Sequence, residues 1–207
     1  MRIGLDLDGT LLDSRLRHTV ALRKAAGSLA VPLTEEDAQR YLQLKCDGAS
    51  GLDALRQLRI PQAESISKRW VEIIESEDML ALDQLYPDTR EALARQQSLQ
   101  TEFILVTGRQ DPAAVRRQIS KLGLEGFLRE IIVVDPRDRA HPKAEVTRTH
   151  ELRAVAGDTE SDFQWAHDLG VNFHASSFGF RSQSYWNRRG VVSYASLSAI
   201  FDAIALT

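Results

Sequence analysis

Short apolar runs and helical periodicities divide this chain into two parts. Residues 2–7 alternate charged and apolar positions, and Gly9-Thr10 follows at once. That pattern predicts a short buried strand with Asp6 and Asp8 at its C-terminal end. Residues 15–29 place Leu16, Val20, Leu22 and Leu29 on a 3.6-residue period, as in a helix with one apolar stripe. Thr34 before Glu35, Glu36 and Asp37 predicts another helix start, because a side-chain oxygen caps free N–H groups and acids face the positive end of the dipole. Pro61 opens a further helical stretch, with Ile66, Trp70, Ile73, Ile74 and Leu80 along one face. From 15 to 85 the pattern predicts helices alone.

At Tyr86-Pro87-Asp88 the pattern changes. A helix over 88–99 precedes the apolar run Phe103-Ile104-Leu105-Val106, which ends in Thr107-Gly108-Arg109. A helix over 111–122 precedes Ile131-Ile132-Val133-Val134; Leu152 to Ala156 ends in Gly157-Asp158; Val171 to His174 follows one more helix. Apolar strands alternating with helices predict an α/β fold: a Rossmann-like parallel sheet with helices on both faces. The helical block interrupts this alternation after its first strand, so it reads as an inserted α-helical cap (15–85) in a core made of 1–14 and 86–207. There is no internal repeat and no low-complexity segment.

Composition narrows the function classes. The chain has 207 residues, 43 % apolar and 27 % charged, with a formal net charge of −3. No basic stretch is dense enough for a nucleic-acid surface. The longest apolar runs are too short to span a membrane, and the N-terminus lacks the apolar stretch of a secretory signal. Cys46 is the single cysteine and cannot form an intramolecular disulfide, which suits a cytoplasmic location.

Ligands of open α/β sheets bind beyond the carboxyl ends of the strands. Four polar clusters fall at or just beyond such ends: Asp6-Leu7-Asp8-Gly9-Thr10, Thr107-Gly108-Arg109, Lys143, and Gly157-Asp158 with Asp162. Each alone is an ordinary turn, loop or solvated lysine; their conjunction in this order is what carries chemistry. The order resembles the four motifs of the haloacid dehalogenase-like superfamily, most of whose members are phosphatases, and the likeness runs from Asp6 to Asp162. The tail to about 205 resembles the closing strand and helix of that fold.

An aspartate can attack phosphorus and split one hard hydrolysis into the formation and breakdown of an acyl phosphate. Carboxylate attack on a phosphate dianion is repulsive, so positive charge has to be supplied nearby. A hard divalent cation, Mg2+, would be held by Asp6 and Asp158, and the resemblance implies the backbone carbonyl of Asp8 as a further ligand. Lys143 adds a point charge, Thr107 a hydroxyl donor, and N–H groups near Leu7, Asp8 and Gly108 complete a phosphate cradle. The resemblance implies general acid and base work for Asp8, whose proton affinity a neighbouring carboxylate would raise. Asp162, one helical turn after Asp158, is the expected supporting contact behind the metal, ahead of Glu160.

Lys143 departs from the helical-capped members in that its proline, Pro142, precedes it and only 15 positions separate it from Asp158. Arg137, Arg139 and Lys121 are its substitutes. Lys45, Cys46 and Arg56 flank the Gly48–Gly51 loop of the cap. There a cap could reach down to the substrate, although Lys45 and Arg56 also read as solvated helix residues, as do Arg15, Arg17 and His18 near the catalytic loop; Trp70 reads as core. Phe178 to Arg181 and Tyr185-Trp186 lie where a pocket mouth would be, though packing alone accounts for them.

The expectation is a phosphatase of a small phosphorylated metabolite, similar to the phosphoglycolate phosphatase branch. Alternatives are a phosphomutase of the same superfamily, a phosphonate-cleaving enzyme using Lys45 as an imine-forming lysine, and a binding domain that keeps the fold without turnover.

Overall fold

The computed structural model describes residues 1–136 and 142–206. Six parallel strands form one sheet in the order β5-β4-β1-β6-β7-β8. These are β1 (Arg2–Leu5), β4 (Glu102–Gly108), β5 (Leu128–Val134), β6 (Ala154–Gly157), β7 (Asn172–Ser176) and β8 (Ser193–Tyr194). The helices between them are α6 (Thr89–Ser98), α7 (Pro112–Lys121), α8 (Pro142–Thr147), α9 (Glu160–Leu169) and α10 (Gln183–Asn187), and α11 (Leu197–Ala205) follows the last strand. The α/β expectation therefore holds, and the strand order reverses at β1.

Side-chain alternation assigns each face of the sheet its own core. Ile3 and Leu5 of β1, with Phe103 and Leu105 of β4, pack against residues such as Leu93, Ile119 and Phe201. Ile104, Val106 and Val155 point the other way and meet Trp165 and Ala166 of α9. Gly4 lies beneath the Trp165 indole, where a Cβ would come within 2.6 Å of the ring. Glycine here makes room for the largest side chain of that face.

After β1 the chain leaves the sheet for α1 (Arg15–Ser28), α2 (Glu35–Cys46), α3 (Gly51–Gln57), α4 (Ala63–Ile73) and α5 (Glu77–Leu80). The inserted helices α2–α4 form a cap-like part around Leu22, Tyr41, Leu55 and Ile66. Thr34 caps α2 by accepting from Asp37 N–H at 3.1 Å, while Asp37 returns a carboxylate to Thr34 N–H at 3.0 Å. The expectation of helices alone fails at the junction, where β2 (Leu12–Asp13) pairs antiparallel with β3 (Gln84–Leu85). Two-residue strands carry too few positions for a period of two to show. No helix of the described residues is long and apolar enough to cross a membrane.

Candidate active site

Register brings the motif-bearing strand ends together. Leu5 of β1 sits level with Leu105 of β4 and Ala156 of β6, so Asp6 leaves the sheet between Thr107 and Asp158. The Asp6 backbone N–H still donates to Ala156 C=O at 3.0 Å, fixing the nucleophile candidate as an extension of the strand.

The Asp6 Oδ1 atom accepts from Lys143 Nζ at 2.6 Å, and the same ammonium donates to Asp162 Oδ1 at 2.7 Å. Lys143, in the first turn of α8, is buried with both partners. Of its substitutes, Lys121 is an exposed residue paired with Glu77, while Arg137 and Arg139 lie outside the described residues. Asp162 has no oxygen to spare: its Oδ2 accepts from the N–H groups of Asp158 and Thr159 and from the Thr159 hydroxyl. It caps α9, orients Lys143 and holds the loop that carries Asp158.

The Asp158 Oδ2 atom accepts from Phe180 N–H at 2.5 Å, whereas its Oδ1 is buried with no hydrogen-bond partner. Gly9, at φ 81°, and Gly179 both face this carboxylate, and a Cβ on either would overlap it. Oxygens of Asp6, Asp158 and Asp162 lie within 4.8 Å of one another and could hold a metal ion. Since Asp162 is fully engaged, Asp6 and Asp158 are the two with capacity left. Two of these three buried carboxylates pair with Lys143 and Asp158 pairs with no ammonium, a surplus of negative charge that a divalent cation would offset. Burial pushes Asp6 up to about 7 against the pull of Lys143, and burial with the proximity of Asp6 and Asp162 drives Asp158 well above the carboxylate range.

Asp8 occupies opposite surroundings. Arg109 grips it in a fork, Nε to Oδ2 at 2.6 Å and Nη2 to Oδ1 at 2.7 Å, and Arg17 adds a third donor. Burial alone would raise Asp8, but Arg109 and Arg17 outweigh it and hold the carboxyl well below its usual range. The expected upward shift from a neighbouring carboxylate is thus reversed by two guanidiniums. Behind them lies Asp83, 3.1 Å from Arg17 Nε and 3.5 Å from Arg109 Nη2, itself held by Gln118 at 2.8 Å.

A cavity of about 440 Å³ opens over these groups, with Thr107 and Gly108 in its floor and His18, Trp70 and Phe180 in its upper wall. Arg17, expected to be solvated, is only 2 % exposed, and Asp83 had no signal at all. Arg15 pairs with Asp13 and Arg56 with Glu64 at the surface, as solvated residues do. Trp70 is half-buried in the cap cluster and donates its indole N–H to His18 C=O at 3.2 Å. Phe180 lines the cavity, while Tyr185 and Trp186 are buried packing residues. Glu160 is turned away to Arg181, at 2.8 Å.

Residues 3–176 match the family model described as haloacid dehalogenase-like hydrolase. Solved structures of similar fold include a haloacid dehalogenase-like family hydrolase from Streptococcus pneumoniae, 20 % identical with a TM-score of 0.74, covering 99 % of this chain and 97 % of that one. Another is a predicted phosphoglycolate phosphatase from Haemophilus somnus, 17 % identical, TM-score 0.70, covering 97 % and 96 %. A third is protein tyrosine kinase A of Mycobacterium tuberculosis, 20 % identical, TM-score 0.75, covering 98 % and 97 %. No curated protein matches the chain.

Proposed function

The chain belongs to the haloacid dehalogenase-like hydrolase family, and on that premise we propose that it is a magnesium-dependent phosphatase of a small phosphorylated metabolite, acting through a covalent aspartyl-phosphate on Asp6. The observation that carries this reading is the setting of Asp6, a buried carboxylate at a strand end, bonded to Lys143 and beside an Asp158 oxygen with no partner. The likeness to a predicted phosphoglycolate phosphatase adds support for a small substrate.

Lys143 engages Asp6 through Oδ1, so the other carboxylate oxygen attacks phosphorus as the ester P–O bond breaks. Asp8, ionised in its guanidinium clamp, takes up a proton from solvent on leaving it and gives that proton to the leaving oxygen. It then takes one from the water that attacks the acyl phosphate, releasing inorganic phosphate and free Asp6. Thr107 and the Gly108 N–H hold the transferring oxygens, with Lys143 adding positive charge. Asp6, Asp158 and the Asp8 carbonyl would hold Mg2+, whose charge, when bound, offsets that of phosphate and nucleophile. Asp8 has to leave its guanidinium clamp to act as an acid. Arg17 and Arg109 already reach Asp83, which offers both a second counter-ion when Asp8 turns to the substrate.

The test is turnover of an aryl phosphate by metal-stripped protein. Activity is expected to return with Mg2+ and to vanish with chelator, because an all-oxygen donor set suits a hard ion. Full turnover in excess chelator would remove the metal from this reading, and no turnover with Mg2+ would remove the reaction.

A further inference from the structure

A second hollow of about 440 Å³ lies between α5 and α7. Among the described residues it shares no wall residue with the catalytic cavity. Its link to that cavity runs through Asp83. The Asp83 carboxylate meets Arg17 at 3.1 Å through Oδ1 and Arg109 at 3.5 Å through Oδ2, and Oδ2 also accepts from Gln118 Nε2 at 2.8 Å. Gln118 Nε2 donates a second bond to Leu80 C=O at 3.0 Å. Asp83, Gln118 and Leu80 all belong to the wall of the hollow. A charge placed there is separated by one side-chain amide and one carboxylate from the guanidiniums that hold Asp8.

The wall itself calls for a positively charged donor. Gln118 is only 7 % exposed, and its Oε1 is buried with no hydrogen-bond partner among the described residues. An acceptor left unmet in this way is destabilising, and a donor entering the hollow would satisfy it. Four acids, Glu75, Glu77, Asp83 and Asp111, line the hollow against two bases, Arg117 and Lys121. Both bases are exposed and already occupied, Lys121 with Glu77 at 3.2 Å and Arg117 with Asp111 at 3.8 Å. Ala81, Ala114 and Leu122 add an apolar side. A single ammonium or guanidinium on a short aliphatic body matches all three features, whereas an anion would meet a surplus of carboxylates.

We propose that this hollow binds a small organic cation, an alkylammonium or alkylguanidinium donating to Gln118 Oε1, and that the bound cation restrains Asp8 in its clamp. The direction follows from the charges. A cation next to Gln118 weakens Asp83 as a counter-ion and repels Arg17 and Arg109, so both guanidiniums hold more firmly to Asp8. Asp8 has to leave them to move a proton, and the occupied hollow therefore slows the reaction. The effect on turnover rests on the phosphatase reading; the binding does not.

Calorimetric titration with n-butylammonium, n-butylguanidinium and n-butanol, with Mg2+ and at constant ionic strength, reads binding without turnover. Ligands this small are expected to bind at about millimolar strength, and the better cation about 10- to 100-fold more tightly than the alcohol. Ala81→Leu fills the hollow from an exposed position, and Gln118→Leu removes the acceptor; each is expected to abolish the preference. At saturation the cation is expected to lower kcat/KM for an alkyl phosphate by about 5- to 150-fold. An activated aryl phosphate should be largely spared, because its leaving group needs little protonation. Absent binding of both cations, an alcohol that binds as tightly, or undiminished preference in Ala81→Leu overturns the inference, whether or not Gln118→Leu folds. So does unaltered turnover at saturation, and so does equal loss on the two esters, which would mean competition at Asp6. A protein that binds the cation with the expected preference but hydrolyses neither ester keeps the site and takes down the phosphatase reading.

Discussion

Asp6 and Asp8 are two residues apart, line the same cavity and lie in opposite fields. Asp6 stands among carboxylates with one lysine, Asp8 between two arginines. Their asparagine variants are therefore expected to fail differently. Asp6→Asn loses the nucleophile, so no phosphoprotein forms. Asp8→Asn keeps nucleophile and metal ligands but cannot move a proton, which typically costs about 10²- to 10⁴-fold in each step that needs it. An activated ester needs little protonation of its leaving group, so transfer to Asp6 survives better than the hydrolysis that follows. Intact mass after acid quench should then show a phosphoryl group on Asp8→Asn protein and none on Asp6→Asn; the reverse result would mean that the nucleophile is wrongly assigned. Asp8→Asn is also expected to melt lower, since Arg17 and Arg109 keep only Asp83 as a counter-ion. The aspartates, Thr107 and Lys143 were legible in the sequence because strand ends announce themselves in the apolar pattern. Arg17, His18 and Lys45 were open to a solvated reading as well: only the folding of α1 and α2 over the sheet buries Arg17 and half-buries the other two.

Among the elements, β1 carries the most constraint. It is flanked on both sides by parallel strands, and its Gly4 lies under Trp165 with Leu152 close by. A methyl at this position has to displace an indole that is itself fixed by a 2.8 Å hydrogen bond to the Thr147 hydroxyl. Overpacking of this kind costs about 1–3 kcal/mol. At roughly 2–4 °C per kcal/mol for a chain of this size, Gly4→Ala should lower the melting temperature by several degrees. Calorimetry measures this directly, and an unchanged midpoint would show that Trp165 is free to move. Strands of four or more apolar residues and the long helices could be read from periodicity, whereas the order β5-β4-β1-β6-β7-β8 could not. Order is decided by which faces pair in three dimensions, and β8, two residues long, has no pattern of its own.

At the scale of the molecule, the helical insert and the sheet meet along a seam separate from the chain crossings at β2 and β3. Arg181 and Ser182 hold the end of α2 by its backbone carbonyls, and Phe180, their neighbour, donates to Asp158. One short segment therefore touches both Lys45 and a metal-ligand candidate. We propose that the insert hinges at the β2–β3 pair and closes the cavity when this seam forms, excluding water from the phosphoryl group. Gly48 is the place to test it. Its φ of 106° disfavours any other residue, and a Cβ there would run into the Tyr185 ring. Strain of this sort costs about 1–3 kcal/mol, equivalent to about 5- to 150-fold in a two-state equilibrium. If the seam is the closed state, Gly48→Ala shifts the population toward open and lowers kcat/KM by a factor in that range. The core sheet, which does not depend on Gly48, should unfold at nearly the parent temperature. Small-angle scattering should record the parent protein contracting with Mg2+ and a phosphate analogue while Gly48→Ala stays expanded. Equal contraction in both proteins with unaltered kcat/KM would mean that the seam is static packing, and that water is kept from Asp6 by the cavity walls alone.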